Sequence, residues 1–290
     1  MIEVNKLYKT IRGQDILKDI SFTINKGDCV ALIGPNGAGK TTLMSCMIGD
    51  KFISKGRLMI EGVAAMDSTL KTKVAILPQE NVAPENLTVA ELIAFFQKIH
   101  RNALSTEEID ALLGFSAEQK NQLTEKLSGG QRRLMSFVLI LIGKPSILFL
   151  DEPTAGMDTS IRQRFWEIIN QLKTIGTTIV YSSHYIEEVE HTADRILVLH
   201  KGELLRDTTP YKMRSEEREK QFNIPIAYQE SIQTLDMIYD IKISHDIVTF
   251  MTKEPQIVFD YLQKAGCPID DMEMLNKTLL NTLFDNTSKE

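Results

Sequence analysis

The residues with the clearest chemistry form a glycine-rich run, Gly34-Pro35-Asn36-Gly37-Ala38-Gly39, that closes on Lys40, Thr41 and Thr42. Such a run lets backbone N–H groups point into one concavity at the start of a helix, where the helix dipole also favours an anion. From that position Lys40 can reach the β- and γ-phosphates of a nucleotide, and the Thr41 hydroxyl can ligate Mg²⁺. The bland alternative is a glycine-rich turn, but an apolar strand precedes this run and a helical pattern follows it. A second group is Asp151-Glu152, two acids placed directly after the apolar residues Ile147–Leu150. A carboxylate at the end of a buried strand is costly unless it meets a metal or a reacting group. Asp151 suits a water-linked Mg²⁺, and Glu152 suits a base that polarises an attacking water; a cap on a helix begun by Pro153 is the competing reading. A third group, Leu127-Ser128-Gly129-Gly130-Gln131, sets a hydroxyl and bare glycine N–H groups at the start of a helical pattern over 131–142, which makes a second anion site. Gln79 and His184 are uninformative alone, but each follows a short apolar strand pattern within three residues.

These residues need a scaffold that brings strand ends together. Cys29–Ile33, Val74–Leu77, Ile147–Leu150, 178–181 and 196–199 are short, continuous apolar runs, with helical patterns between several of them, notably 159–173 and 186–191. Buried strands alternating with helices give a mainly parallel sheet covered on both faces, an α/β fold. The first 62 residues instead alternate at period two, as in Ile20, Phe22, Ile24 and again Leu58, Ile60, which predicts an antiparallel β-subdomain. Residues 85–127 hold the helical patterns Val89–Ile99 and Thr106–Leu113 with no strand between, a helical insert. The character changes again near 210. The expected organisation is therefore a nucleotide-binding α/β domain over 1–208, a charged linker over 209–220, and a small α+β accessory domain over 221–290. In that last segment 240–244 and 247–251 read as strands across a Ser-His-Asp turn, and 256–265 and 274–284 read as helices.

Composition narrows the function classes. The 290 residues are 43% apolar and 25% charged, ordinary for a globular chain, and the net charge of −6 argues against a general nucleic-acid binder. Cys29, Cys46 and Cys267 have no metal-ligand spacing, and so sparse a count suits a reducing compartment. The most apolar stretch, 134–150, is broken by Lys144-Pro145, so it reads as a buried helix and strand, not a membrane span. No leader pattern is seen at the start, and membrane work would require another chain to do the spanning.

In their order along the chain, the phosphate loop, Gln79, the Leu127–Gln131 pentapeptide, Asp151-Glu152 and His184 resemble the ATP-binding subunit of an ABC transporter over about residues 1–208. The pentapeptide is that family's own signature. The resemblance implies an ATP- and Mg²⁺-dependent ATPase with Glu152 as base, Gln79 sensing metal and water, and His184 contacting the γ-phosphate. It implies that Ser128, Gly130 and Gln131 face the γ-phosphate held by a second ATPase subunit, identical or related, and that Asp158 in Ala155-Gly156-Met157-Asp158 links the two sites. It also implies a polytopic membrane permease as partner, and a cytoplasmic chain held peripherally on the inner membrane face. The phrases Leu87-Thr88-Val89-Ala90-Glu91-Leu92 and Ala155–Asp158 resemble the branch that exports drugs, antibiotic peptides or sodium. An importer ATPase and a clamp in cluster assembly are the alternatives. One position departs from the family: where an aromatic usually stacks on adenine, this chain aligns Ile11, with Tyr8 nearby but out of register.

Overall fold

A five-residue run without one polar side chain sets the centre of the molecule. In the computed structural model, which describes residues 1–80, 84, 86–183, 186–216 and 219–276, Cys29–Ile33 is a wholly buried strand. In chain order the elements around it are β1 (Ile2–Ile11), β2 (Gln14–Ile24), β3 (Cys29–Ile33), α1 (Lys40–Met47), β4 (Lys55–Ile60), β5 (Val63–Ala64) and β6 (Val74–Leu77). Then follow α2 (Val89–Ile99), α3 (Thr106–Leu113), α4 (Ala117–Asn121), α5 (Gly129–Leu141), β7 (Ile147–Leu150), α6 (Thr159–Thr174), β8 (Thr178–Ser183), α7 (Ile186–Thr192), β9 (Arg195–His200) and β10 (Glu203–Thr208). The central sheet runs β10-β9-β3-β8-β7-β6. Its strands are parallel except β10, which pairs antiparallel with β9. The α/β class expected from the sequence is the one observed.

The register places the strand ends flush. Ile33 lies opposite Ser183, and Leu150 lies opposite both Leu77 and Tyr181. The carboxyl ends of β3, β6, β7 and β8 thus share one edge, the place where open α/β sheets bind ligands. Each face of the sheet is covered by different elements. Val30, Leu32, Phe149 and Val180 pack with Leu43, Met44 and Met47 of α1 and with the inner side of the antiparallel sheet β2-β1-β4-β5. On the opposite face, Trp166 of α6 meets Tyr181 at 5.3 Å between centroids, and Phe165 meets Phe137 of α5 at 4.5 Å.

The helical insert is pinned where it leaves and rejoins the chain. Thr88 bridges Leu123, and the Thr124 N–H donates to Leu87 O at 3.0 Å. Its helices α2, α3 and α4 each begin in a reciprocal capping box, Thr88/Glu91, Ser105/Glu108 and Ser116/Gln119. Helix α4 lies outside the two helices expected here; five residues are too few to show a period, and only the Ser-x-x-Gln cap marks it.

The chain divides into two compact units, Met1–Thr209 and Pro210–Glu290. The second holds α8 (Pro210–Glu216), β11 (Lys220–Pro225), α9 (Gln229–Ile232), β12 (Ile238–Ile243), β13 (Ile247–Thr252), α10 (Pro255–Lys264) and β14 (Glu273–Asn276). Its strands form an antiparallel sheet ordered β12-β13-β11-β14. Phe222 and Phe250 stack at 5.5 Å between centroids under Val258 and Leu262 of α10. The hairpin and the helix after it match the sequence reading. Residues 274–276 do not: they are strand, because Met274 and Leu275 pair with Phe222 and Gln221, and a cross-strand ladder overrides local helical preference. The rest of that expected helix lies outside the described residues.

Candidate active site at the carboxyl edge of the sheet

The phosphate loop is shaped by close approach. A Cβ on Gly34 would sit 2.3 Å from the Leu199 carbonyl oxygen, so only glycine fits where β3 ends. Asn36 and Gly37 are exposed, while Gly34, Ala38 and Gly39 are buried and Pro35 is half-buried. Helix α1 starts at Gly39 without a side-chain cap, whereas α2 to α6 each have one. The first-turn N–H groups of α1, with exposed Thr41 and half-buried Thr42 beside them, are thus left for an anion. Lys40 is only 6% exposed. Its ammonium donates to Gly34 O at 2.7 Å and to Pro35 O at 3.3 Å. Burial pushes its pKa down, and the charges of Glu152 and Asp151 push the other way. Both acids thus lie within electrostatic reach of the lysine.

Asp151 is buried and Glu152 half-buried at the end of β7. One hydroxyl serves both: Ser182 Oγ donates to Asp151 Oδ1 and accepts the Glu152 N–H at 2.8 Å. Glu152 adopts φ 44°, the left-handed region that costs a non-glycine residue energy. Exposed Gln79 donates from Nε2 to Glu152 Oε2 at 3.2 Å, so the residue after β6 and the acid after β7 are joined. His184 lies outside the described residues.

The Ser128–Gln131 segment makes its own set of bonds at the start of α5. Ser128 and Gln131 form a capping box on α5: Ser128 Oγ accepts the Gln131 N–H at 3.2 Å, and Gln131 Oε1 accepts the Ser128 N–H at 3.0 Å. Ser128 and Gly129 are exposed. A Cβ on Gly130 would come within 3.2 Å of Met157 Cα, so this glycine lets the segment lie on the 156–158 loop. Asp158 caps α6, its Oδ1 accepting from Ser160 N, Ile161 N and Ser160 Oγ. Those bonds, led by the one from Ile161, hold its carboxyl below the usual range.

Three residues that the sequence reading passed over are built into the site. Ser182 joins the two acids. Arg133, two residues after Gln131, donates to the carbonyls of Pro78, Asp151, Glu152 and Pro153. Glu188 of α7 accepts from Thr154 Oγ1 at 2.8 Å and pairs with Arg162 Nε at 3.2 Å, tying α7 to the loop that leads to Asp158. Only a Ser two residues before His184 and a second Arg after the signature could have flagged the first two. Of the two residues expected near adenine, Ile11 pairs with Gln14 at the tip of the β1–β2 hairpin, and Tyr8 carries Lys55 Nζ 6.0 Å from its ring centroid.

Comparison with known proteins agrees with this geometry. The ABC transporter family profile matches residues 17–155. The linearmycin resistance ATP-binding protein LnrL of Bacillus subtilis (strain 168) is 34% identical over 212 residues, 71% of this chain and 68% of that protein. The Nod factor export ATP-binding protein I of Rhizobium etli is 31% identical over 221 residues, 74% of this chain and 70% of that one. Among solved structures, the ATP-binding subunit of an ABC transporter superposes with a TM-score of 0.67 at 28% identity, covering 74% of this chain and 92% of that one. A dimeric ATP-binding cassette in a post-hydrolysis state with ADP and Pi shares the fold at a TM-score of 0.65 and 23% identity, covering 72% and 99%. The chain belongs to the ABC transporter family as an ATP-binding subunit, an ATPase of that family.

Proposed function

We propose that this chain is the motor subunit of an exporter, working as two ATPase subunits that sandwich ATP and drive a separate polytopic permease. The observation that carries the reading is the exposure of Ser128 and Gly129 at the start of α5. A phosphate-binding helix start turned outward is a site offered to a nucleotide held by another subunit. The names of the relatives, linearmycin resistance and Nod factor export, support export as the direction. Among the described residues no helix is long and apolar enough to cross a membrane; in this reading the permease supplies the path. Helix α2 suits docking to it: Phe95 is 56% exposed, and α2 begins just beyond the segment that follows Gln79. In this reading the chain sits peripherally on the inner face of the cell membrane.

In this reading the N–H groups of Gly34–Gly39 cradle the ATP phosphates, and Lys40 exchanges its carbonyl partners for β- and γ-oxygens. Glu152 orients and deprotonates the attacking water, with His184 at the γ-phosphate and Asp158 facing the second subunit. Thr41, Asp151 and Gln79 would hold Mg²⁺. A hydroxyl, a carboxylate and an amide are an open oxygen set, suited to an ion carried largely on phosphates and water. The ion would supply charge neutralisation at the β- and γ-phosphates.

The test is complementation between subunits. Ser128→Arg blocks the signature face and Lys40→Ala removes the phosphate charge, so each variant alone should lose hydrolysis. A mixture of the two should regain one intact composite site per heterodimer. Full wild-type activity in either variant alone refutes the sandwich.

A further inference from the structure

Arg133 is 2% exposed, a rare place for a guanidinium. A buried charge is tolerated only when its donors are bonded, and here the bonds go to main-chain oxygens. Nε donates to Pro153 O at 3.1 Å, Nη1 to Pro78 O, and Nη2 to Asp151 O at 2.7 Å and Glu152 O at 3.3 Å. Burial pushes its pKa down to about 10, opposed by the charges of Asp151 and Glu152. The carbonyls belong to two separate segments. Pro78 directly precedes Gln79, and the other three carry the acids and the turn behind them. Arg133 itself stands on α5, whose first residues, capped by Ser128, are the expected second anion site.

The consequence is sharpest at Glu152. Its left-handed backbone is strained and persists only if both flanking peptides are held. Ser182 holds the N–H and Arg133 holds the C=O. A planar fork with five donors can meet carbonyls from converging directions; a lysine offers one point charge.

We propose that Arg133 is a positioning residue for hydrolysis: it joins the start of α5, the Gln79 segment and Glu152 into one rigid body, so that contact of α5 with a nucleotide phosphate is passed to the carboxylate that activates water. The inference rests on the assignment of Glu152 as base. Arg133 acts through that residue and makes no contact of its own with nucleotide.

The experiment uses the full chain with Arg133→Gln and Arg133→Lys. Both should lower kcat by at least about tenfold, the scale of a small misplacement of a catalytic group. KM for ATP and affinity for the non-hydrolysable analogue AMP-PNP should stay within about twofold. Lysine should not rescue, because one ammonium cannot span Pro78 and Pro153. In a Glu152→Gln background, adding Arg133→Gln should change the residual rate by less than about twofold, since its effect runs through the missing carboxylate. Should Arg133→Gln fail to fold, Arg133→Lys, which keeps charge and stem, serves in both backgrounds. Wild-type kcat in the variants, loss of kcat in proportion to nucleotide affinity, or a further tenfold loss in the Glu152→Gln background each overturns the proposal. The two readings separate cleanly. Wild-type turnover in Glu152→Gln removes the base and this inference with it; an inactive Glu152→Gln beside fully active Arg133 variants removes this inference alone.

Discussion

Ser182→Ala isolates the smallest part of the site that can be costed. The hydroxyl is fully buried, donates to the Asp151 carboxylate and accepts the Glu152 N–H. A hydrogen bond to a charged group contributes about 1.5–3 kcal/mol, and taking the partner from a buried N–H costs about 1–3 kcal/mol. Alanine adds no volume and repays little, so the expected loss is roughly 3–5 kcal/mol, against a typical total stability of about 5–15 kcal/mol. The chain's single tryptophan gives a selective readout. Trp166 packs against Tyr181 inside the Met1–Thr209 unit, so its fluorescence follows that unit whatever the other does. Urea titration by this signal should show a lower midpoint at unchanged slope. ATP turnover should fall by more than stability requires, because Glu152 loses one of the two bonds that hold its left-handed backbone. A destabilisation below about 1 kcal/mol, with turnover within threefold of wild type, would refute the idea that Ser182 locks the two acids.

Three further outcomes are expected. A chain ending at residue 209 should keep a cooperative Trp166 transition and ATP-dependent stabilisation, because all the site residues lie upstream; loss of that transition would make the second unit part of the main core. A cysteine replacing Phe95 on α2 should cross-link to the permease, and labelling confined to the Glu203–Thr208 strand would rule out docking there. Ile11 supplies no π-face, so ATP should be preferred over GTP by less than about tenfold, near 1.4 kcal/mol. Ile11→Tyr should then tighten ATP binding by about tenfold, within the 1–3 kcal/mol of a base–aromatic stack; no gain, with a clear loss in Tyr8→Ala, would move the contact to Tyr8.

What could be read from sequence divides by distance along the chain. The phosphate loop, the acids after β7 and the signature are contiguous residues, and their chemistry is complete within a few positions. Buried strands announce themselves by unbroken apolar runs, which is why β3 and β7 were legible to the residue. Arg133 and Ser182 were not, since their meaning lies in partners 55 and 31 residues away. Nothing local distinguishes a buried arginine from the exposed ones that usually follow a capping box. The same holds for β14, whose strand state comes from β11, about fifty residues upstream. Local propensity is silent on pairings of that span.

The motif residues divide their atoms between holding their own chain and reaching beyond it. Ser128 uses its oxygen as acceptor for the Gln131 N–H, and its O–H remains a donor suited to phosphate. Asp158 takes all three helix-capping bonds on Oδ1, so Oδ2 can accept from a neighbouring subunit. Lys40 has three donors and spends two on loop carbonyls, each exchangeable for a phosphate oxygen that bears full charge. Glu152 has its backbone fixed by Ser182 and Arg133 and its Oε2 joined to Gln79. Binding therefore exchanges bonds at aligned groups and need not order loose ones. An exchange of this kind yields little net free energy per bond, about 0.5–1.5 kcal/mol for neutral pairs. In the proposed sandwich, the drive to close two subunits would then come from the charged contacts, Lys40 and the two helix starts meeting the same triphosphate.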